Sequence, residues 1–231
     1  MRSLTAVPTL PQFHSIIKQF AKEFRSDPNH REFSWDHAHH YWKEFAADQS
    51  GNEDLAALHL SFYLASFGMY RGKSDLLNRD YKALAPAIKF LKKQANNGLA
   101  DCLFSDRPAE KLACELKELS TRLRDELIPT LVRPEKLTVR VSDTLLSKLM
   151  LVTLDCVPAF DQQVKRALND LLHDEYGKGD SFAARRLGQL IALARENKSL
   201  IECAHETLKD RYGDDYPLNR IFDLYLWRRG I

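Results

Sequence analysis

Apolar residues recur at steps of three and four along nearly the whole chain, and that spacing constrains its fold more than any other feature. Leu10, Phe13, Ile17, Phe20, Ala21 and Phe24 form the first series, with Pro11 suited to a first turn, and it stops before Asp27-Pro28-Asn29. A second helix is predicted from Ser34 through Trp35, Ala38, Tyr41, Trp42 and Phe45. A third, from Asp54 to about Met69, is apolar on nearly every side, which predicts a central helix. Leu112, Leu116, Leu119, Leu123 and Leu127 mark an amphipathic helix ending at Pro129. Further helices are expected over Thr144–Asp155, Pro158–Tyr176, Asp180–Asn197, Lys198–Arg211 and Pro217–Arg229. Between Ser74 and Asn97 another helical stretch is interrupted by Pro86, which starts a new helix or kinks the old one. The one candidate strand is Leu137-Thr-Val-Arg-Val.

This pattern gives an all-α chain. With 231 residues, 44% of them hydrophobic, it is long enough for a substantial core within one compact multi-helix domain. Two helical lobes meeting near Thr144 to Leu168 would leave a central cleft. No segment is a low-complexity linker, and the N-terminal residues lack the apolar stretch of a signal peptide. No run reaches a membrane span, so a cytoplasmic protein with no membrane partner is expected. Cys102, Cys114, Cys156 and Cys203 form no CxxC pair. Cys114, Cys156 and Cys203 fall in helical patterns and read as buried free thiols, which argues against a cysteine zinc site.

A formal charge of +2 hides an uneven distribution: Arg71 to Lys93 carries seven basic residues against Asp75 and Asp80. A local excess of that sign suits a polyanion, as well as an ordinary solvated helix face. Within it, Met69-Tyr-Arg-Gly-Lys-Ser-Asp-Leu-Leu77 reads as a turn in which Gly72 ends a helix and Ser74 caps the next. Open amides there, beside Arg71 and Lys73, would suit a phosphate. The GxxxxGK[ST] pattern of a nucleotide-hydrolysing loop is absent.

The most informative segment is Leu145-Leu-Ser-Lys-Leu-Met-Leu-Val-Thr-Leu-Asp-Cys-Val-Pro-Ala-Phe-Asp161-Gln-Gln-Val-Lys-Arg-Ala-Leu168. With Pro158 as a first helical residue, Asp161 lies near a helix N-terminus, where free amides favour an ionised carboxylate. On a helical wheel it falls roughly 60° from the centre of the Phe160, Val164, Ala167, Leu168, Leu171 stripe, at the edge of a buried face. The simplest role for such a residue is a surface pair with Lys165.

The same stretch resembles the helix-hairpin-helix superfamily of DNA glycosylases, in which an apolar helix leads through a short loop to a helix opening Val-Asp-Thr-His-Val-x-Arg. Asp161, Val164 and Arg166 match that opening; Gln162 and Gln163 do not, and the family's Leu-Pro-Gly-x-Gly hairpin has no counterpart before Thr144. The resemblance implies that Asp161 is catalytic. Lys148 stands thirteen residues before Asp161, closer than the family's lyase lysine, so a monofunctional, cofactor-free enzyme is implied, with DNA as partner. A single carboxylate suits the chemistry, because breaking an N-glycosidic bond passes through an oxocarbenium-like sugar. Arg71, Lys73, Ser74 and Arg166 would hold phosphates. The extruded base needs aromatic walls, for which Tyr63, Phe67, Tyr70, Trp35 and Trp42 are available, Tyr63, Tyr70 and Trp42 foremost. Such an enzyme would serve repair or attack foreign, for example viral, DNA.

Other readings stand beside this one. Asp36, His40 and Glu44 lie one turn apart, as metal ligands do, but lack HExxH, and no metal is expected. Arg166…His173 and Arg31…His37 match the spacing found in helical ribonucleases of the HEPN type. A helical interaction module without catalysis needs no motif at all.

Overall fold

A computed structural model of the protein describes residues 9–132 apart from 73 and 75, residues 141–173, 176 and 179–231. Within these residues ten α-helices follow one another: α1 (Phe13–Ser26), α2 (Phe33–Ala47), α3 (Glu53–Ser66), α4 (Ala85–Gln94), α5 (Ala109–Leu131), α6 (Asp143–Leu154), α7 (Gln162–Leu172), α8 (Ala184–Glu196), α9 (Lys198–Glu202) and α10 (Leu218–Arg229). Short 3-10 turns occur at Tyr81–Leu84 and Cys102–Phe104. The all-α expectation holds: the fold is 65% helical and compact, and the described residues contain no strand. The candidate strand falls almost wholly outside the described residues.

Helix α6 occupies the centre. Every residue from Leu145 to Leu154 is buried, and the helix contacts α2, α3, α4 and α5. Its start is fixed by Ser142, whose side chain accepts the Leu145 N–H, and by Asp143, which pairs with Arg124 and accepts the Ser181 N–H. The expectation that α3 is the central helix is corrected: Leu55, Leu58 and Phe62 are 38, 50 and 61% exposed. Apolar residues all round a helix do not say which of them meet protein. Here the opposite face, through Ala57, Leu60 and Leu64, meets the core.

Three boundaries differ for identifiable reasons. Helix α5 runs two residues past Pro129, because a proline in the last turn removes only one N–H and the Val132 N–H still reaches Ile128 O. Helix α7 begins at Gln162, not Pro158, because the residues between are bonded to other helices. Beyond Glu202 the expected helix gives way to turns. Pro86 does start a helix, in the first turn of α4. All four cysteines are free; Cys102 and Cys156 are buried, whereas Cys114 and Cys203 are exposed, against expectation.

Helices α7 and α10 pack closely. At their contact Gly230 lies directly on the backbone of Gln163, so close that a Cβ has no room. Gly230→Ala is expected to push the start of α7 away at a cost of about 1–3 kcal/mol, the usual range for overpacking. A thermal melt within a degree of wild type would contradict this.

Candidate active site around Asp161

Residues 155–160 form a buried, non-helical connection between α6 and α7. A buried loop is stable only if its backbone polar groups find partners, and side chains supply them here. Phe160 donates its N–H to Ser147 Oγ (2.7 Å), and Thr144 Oγ1 donates to Phe160 O (2.8 Å). The Ala159 N–H goes to Asp223 Oδ1 (2.8 Å). Asp155 takes up the left-handed conformation (φ 49°) that ends α6, and its carbonyl accepts from Asp101 N and Asn219 Nδ2.

Asp161 emerges from this loop as the N-cap of α7. Its Oδ1 accepts the N–H groups of Gln163 and Val164, both at 3.1 Å. Its Oδ2 lies 3.3 Å from Nζ of Lys148, a lysine with only 4% of its side chain exposed. The ion pair is thus with Lys148 on the buried helix, not with Lys165 one turn along α7. Sequence spacing does not reveal this, because only the folded-back loop brings the two residues together.

Around the pair stands a second, fully buried charge group that periodicity alone does not reveal. Arg220 on α10 pairs with Glu32 (2.6 Å) and with Asp223 (2.9 Å). Its guanidinium lies over the Trp35 ring (4.7 Å), which stacks on His39, and His39 bonds Asp155 (2.9 Å). Burial raises the Asp223 carboxyl to about 6, against the pull of Arg220. Burial also works against charge on Arg220, but Glu32 and Asp223 outweigh it and hold Arg220 above its ordinary value. The one sequence signal is Arg220-x-x-Asp223, two charges one turn apart in a helix whose residues Asn219 to Leu226 are all buried.

Glu32, Tyr63, Phe67, Lys148, Asp161, Arg220, Asp223 and Trp227 line a cavity of only about 10 Å³. That is room for about one water, not a nucleobase. Of the expected base-pocket residues, Tyr63 lines this cavity. Trp42 is buried against Phe45, and the Tyr70 hydroxyl donates to Ser61. Phe67 also lines it, with the Lys148 ammonium 4.8 Å from its ring centroid. Among the described residues, the central cleft expected between two helical lobes is no more than this small cavity at Asp161.

The expected phosphate site is less assembled. Among the described residues no helix starts at Ser74: its Oγ accepts Leu76 N–H, and the next capping residue is Asp80. Arg71 is exposed and folds back over Gly68, whose missing Cβ leaves room for the guanidinium. Lys73 lies outside the described residues. Arg166 is exposed on α7 about 140° round the helix from Asp161. Much of the basic segment is occupied internally. Arg79 donates to Leu131 O and Val132 O, Lys82 and Lys89 pair with Asp54 and Glu53, and Lys92 donates to Asp48 O.

No group of three or more metal-ligating side chains occurs among the described residues. Asp36 is buried and accepts from Tyr216 OH (2.9 Å) and Arg211 N (2.8 Å), apart from the exposed His40–Glu44 pair. Burial lifts the Asp36 carboxyl from 3.8 to about 6. A carboxyl raised on folding adds stability below its unfolded pKa, and that contribution disappears as pH rises through the folded value. The stability of wild type relative to Asp36→Asn is therefore expected to fall by about 2–3 kcal/mol between pH 4 and 7. Urea unfolding at both pH values checks this; a constant difference refutes it.

Arg31 packs on aromatic rings whereas His37 bonds Tyr212 OH, so this ribonuclease-like pair shares no partner. His173 ends α7 in the left-handed conformation (φ 49°). Among the described residues, no helix is long and apolar enough to cross a membrane. Comparisons with family models, with curated proteins and with solved structures find no match.

Proposed function

We propose that the protein binds DNA and hydrolyses the N-glycosidic bond of a damaged or modified base, with Asp161 as the catalytic carboxylate. The observation that carries this reading is the setting of Asp161, held by two backbone amides at the head of α7 with a buried ammonium beside it. An anion fixed in this way needs no reorganisation when positive charge develops on a sugar. In the reaction the C1′–N bond breaks with its electron pair leaving on the base. A water oxygen then bonds to C1′, and its proton passes towards Asp161. Arg71 and Arg166, with Lys73, are the proposed phosphate contacts. A base enters only if DNA binding widens the cavity beneath Phe67. The activity would serve repair or the destruction of foreign DNA in the cytoplasm.

Lys148 bears on the type of reaction. An amine this close to Asp161 can attack C1′ itself, which would add strand cleavage to base release. We favour hydrolysis, because Lys148 is committed to its ion pair. Incubation with DNAs carrying a range of modified bases, read out as alkali-labile sites, tests the activity. Borohydride trapping of a covalent protein–DNA adduct separates the two routes. If no modified DNA yields abasic sites, the reading is wrong.

A non-catalytic interaction module has one observation in its favour. Leu55, Leu58 and Phe62 form an exposed apolar stripe, and Leu58 and Phe62 border a hollow of about 450 Å³ with His37 and His59. An apolar surface of that kind is where partner proteins commonly dock.

A further inference from the structure

Two aromatic rings of the cavity at Asp161 share the cation Arg31, while Lys148 lies against Phe67 alone (4.8 Å) and Arg228 against Trp227 alone (5.5 Å). Arg31 precedes α2, its side chain 49% exposed, and its guanidinium lies 4.8 Å from the Trp227 ring centroid and 5.5 Å from that of Phe67. Both rings line the cavity. The Arg31 backbone is pinned, since its carbonyl accepts the Ser34 N–H and hydroxyl, while the guanidinium itself has a 3.6 Å contact from Nε to Glu32 Oε1. With its base fixed and its side chain half exposed, Arg31 can swing only by giving up the ring contacts and the long contact to Glu32, which Arg220 also satisfies.

From this arrangement we infer that Arg31 is a phosphate-binding residue whose engagement by the DNA backbone opens the Asp161 cavity. The inference rests on the proposed action on DNA. Contacts of an exposed guanidinium with ring faces are weaker than a charge-assisted, bidentate pair with a phosphate. A phosphodiester arriving at the rim therefore draws Arg31 off Trp227 and Phe67. Phe67 then keeps Lys148 and Trp227 keeps Arg228, but no cation bridges the two rings, so they can part and the cavity can grow beyond one water. Closure without DNA leaves room for no more than about one water beside the Lys148–Asp161 pair. The same residue that senses the backbone would thus decide when the site admits a base.

Tryptophan fluorescence reads this directly. Of the three tryptophans, Trp35 and Trp42 are buried and Trp227 is partly exposed, so acrylamide quenching reports mainly on Trp227. Wild type, Arg31→Ala and Arg31→Lys are compared alone, with inorganic phosphate, with an RNA oligonucleotide, and with duplex DNA carrying an abasic-site analogue. Without ligand, Arg31→Ala should quench about twofold more steeply than wild type. Duplex DNA should raise wild type to that level while leaving the variant unchanged. The slope of log affinity against log salt should fall by about 0.9 in the variant, one phosphate contact. Arg31→Lys keeps the charge but not the planar fork, and should retain the slope while quenching like Arg31→Ala. Circular dichroism melts confirm that the variants are folded. If unliganded Arg31→Ala quenches like wild type, or DNA binds both with the same slope, the role of Arg31 is overturned while the DNA reading stands. If wild type fails to bind DNA even at low salt, both fall. A response to RNA or free phosphate equal to that with DNA overturns the assignment of DNA as the ligand.

Discussion

Replacing Asp161 by asparagine is expected to slow base release by about two to three powers of ten, the usual effect of removing one preorganised charge from a reacting centre. The asparagine carbonyl oxygen can still accept the Gln163 and Val164 N–H groups, so the start of α7 should survive. The sequence alone suggests that stability would hardly change; the structure alters that expectation. Lys148 is buried and loses its carboxylate partner, which adds a penalty of roughly 1–3 kcal/mol for an unsatisfied polar group. A second variant separates the effects. Lys148→Met combined with Asp161→Asn removes both charges, and it should regain most of the stability while remaining inactive. Single-turnover formation of abasic sites, with melting temperatures alongside, gives both readings. An Asp161→Asn protein as fast as wild type would reduce Asp161 to a helix cap and withdraw the main support for glycosidic chemistry.

The second large effect concerns the fold itself. Arg220→Met should destabilise the protein by about 3–5 kcal/mol, because Glu32 and Asp223 would remain buried without their shared counter-ion. That is a large part of the roughly 5–15 kcal/mol by which a typical domain is stable. The cost arises from the stranded carboxylates, not from the lost attraction. Adding Glu32→Gln and Asp223→Asn should therefore return much of it, even though more native groups are then missing. The amide oxygen that replaces the Asp223 carboxylate can still accept the Ala159 N–H. Urea unfolding of the single and triple variants measures both steps. A single variant within about 1 kcal/mol of wild type would show that these charges are not needed in pairs.

How far the sequence discloses this arrangement depends on distance along the chain. Helical class and most helix positions follow from apolar spacing, because that signal is local. Asp161 at the head of α7 is legible for the same reason, since the capping amides lie two and three residues away. Lys148 is visible as a charge within an apolar run, but its pairing needs the path of the loop from Asp155 to Phe160. Arg220 and Glu32 are 188 residues apart, and nothing in either neighbourhood indicates the other. The exposed side of α3 is hidden for a different reason: an evenly apolar helix carries no directional information. The basic run from Arg71 to Lys93 misleads in the opposite sense, because composition counts charges while the fold pairs many of them.

The connection between α6 and α7 also bears on how this chain can change over generations. Loops usually absorb inserted and deleted residues, since their backbone faces water and adapts. Here Ser147, Thr144, Asp223, Asp101 and Asn219 hold the loop's backbone at Asp155, Ala159 and Phe160. A single added residue would shift every partner out of register and carry Asp161 away from Lys148. Descendants of this protein would vary in length almost anywhere before they varied there.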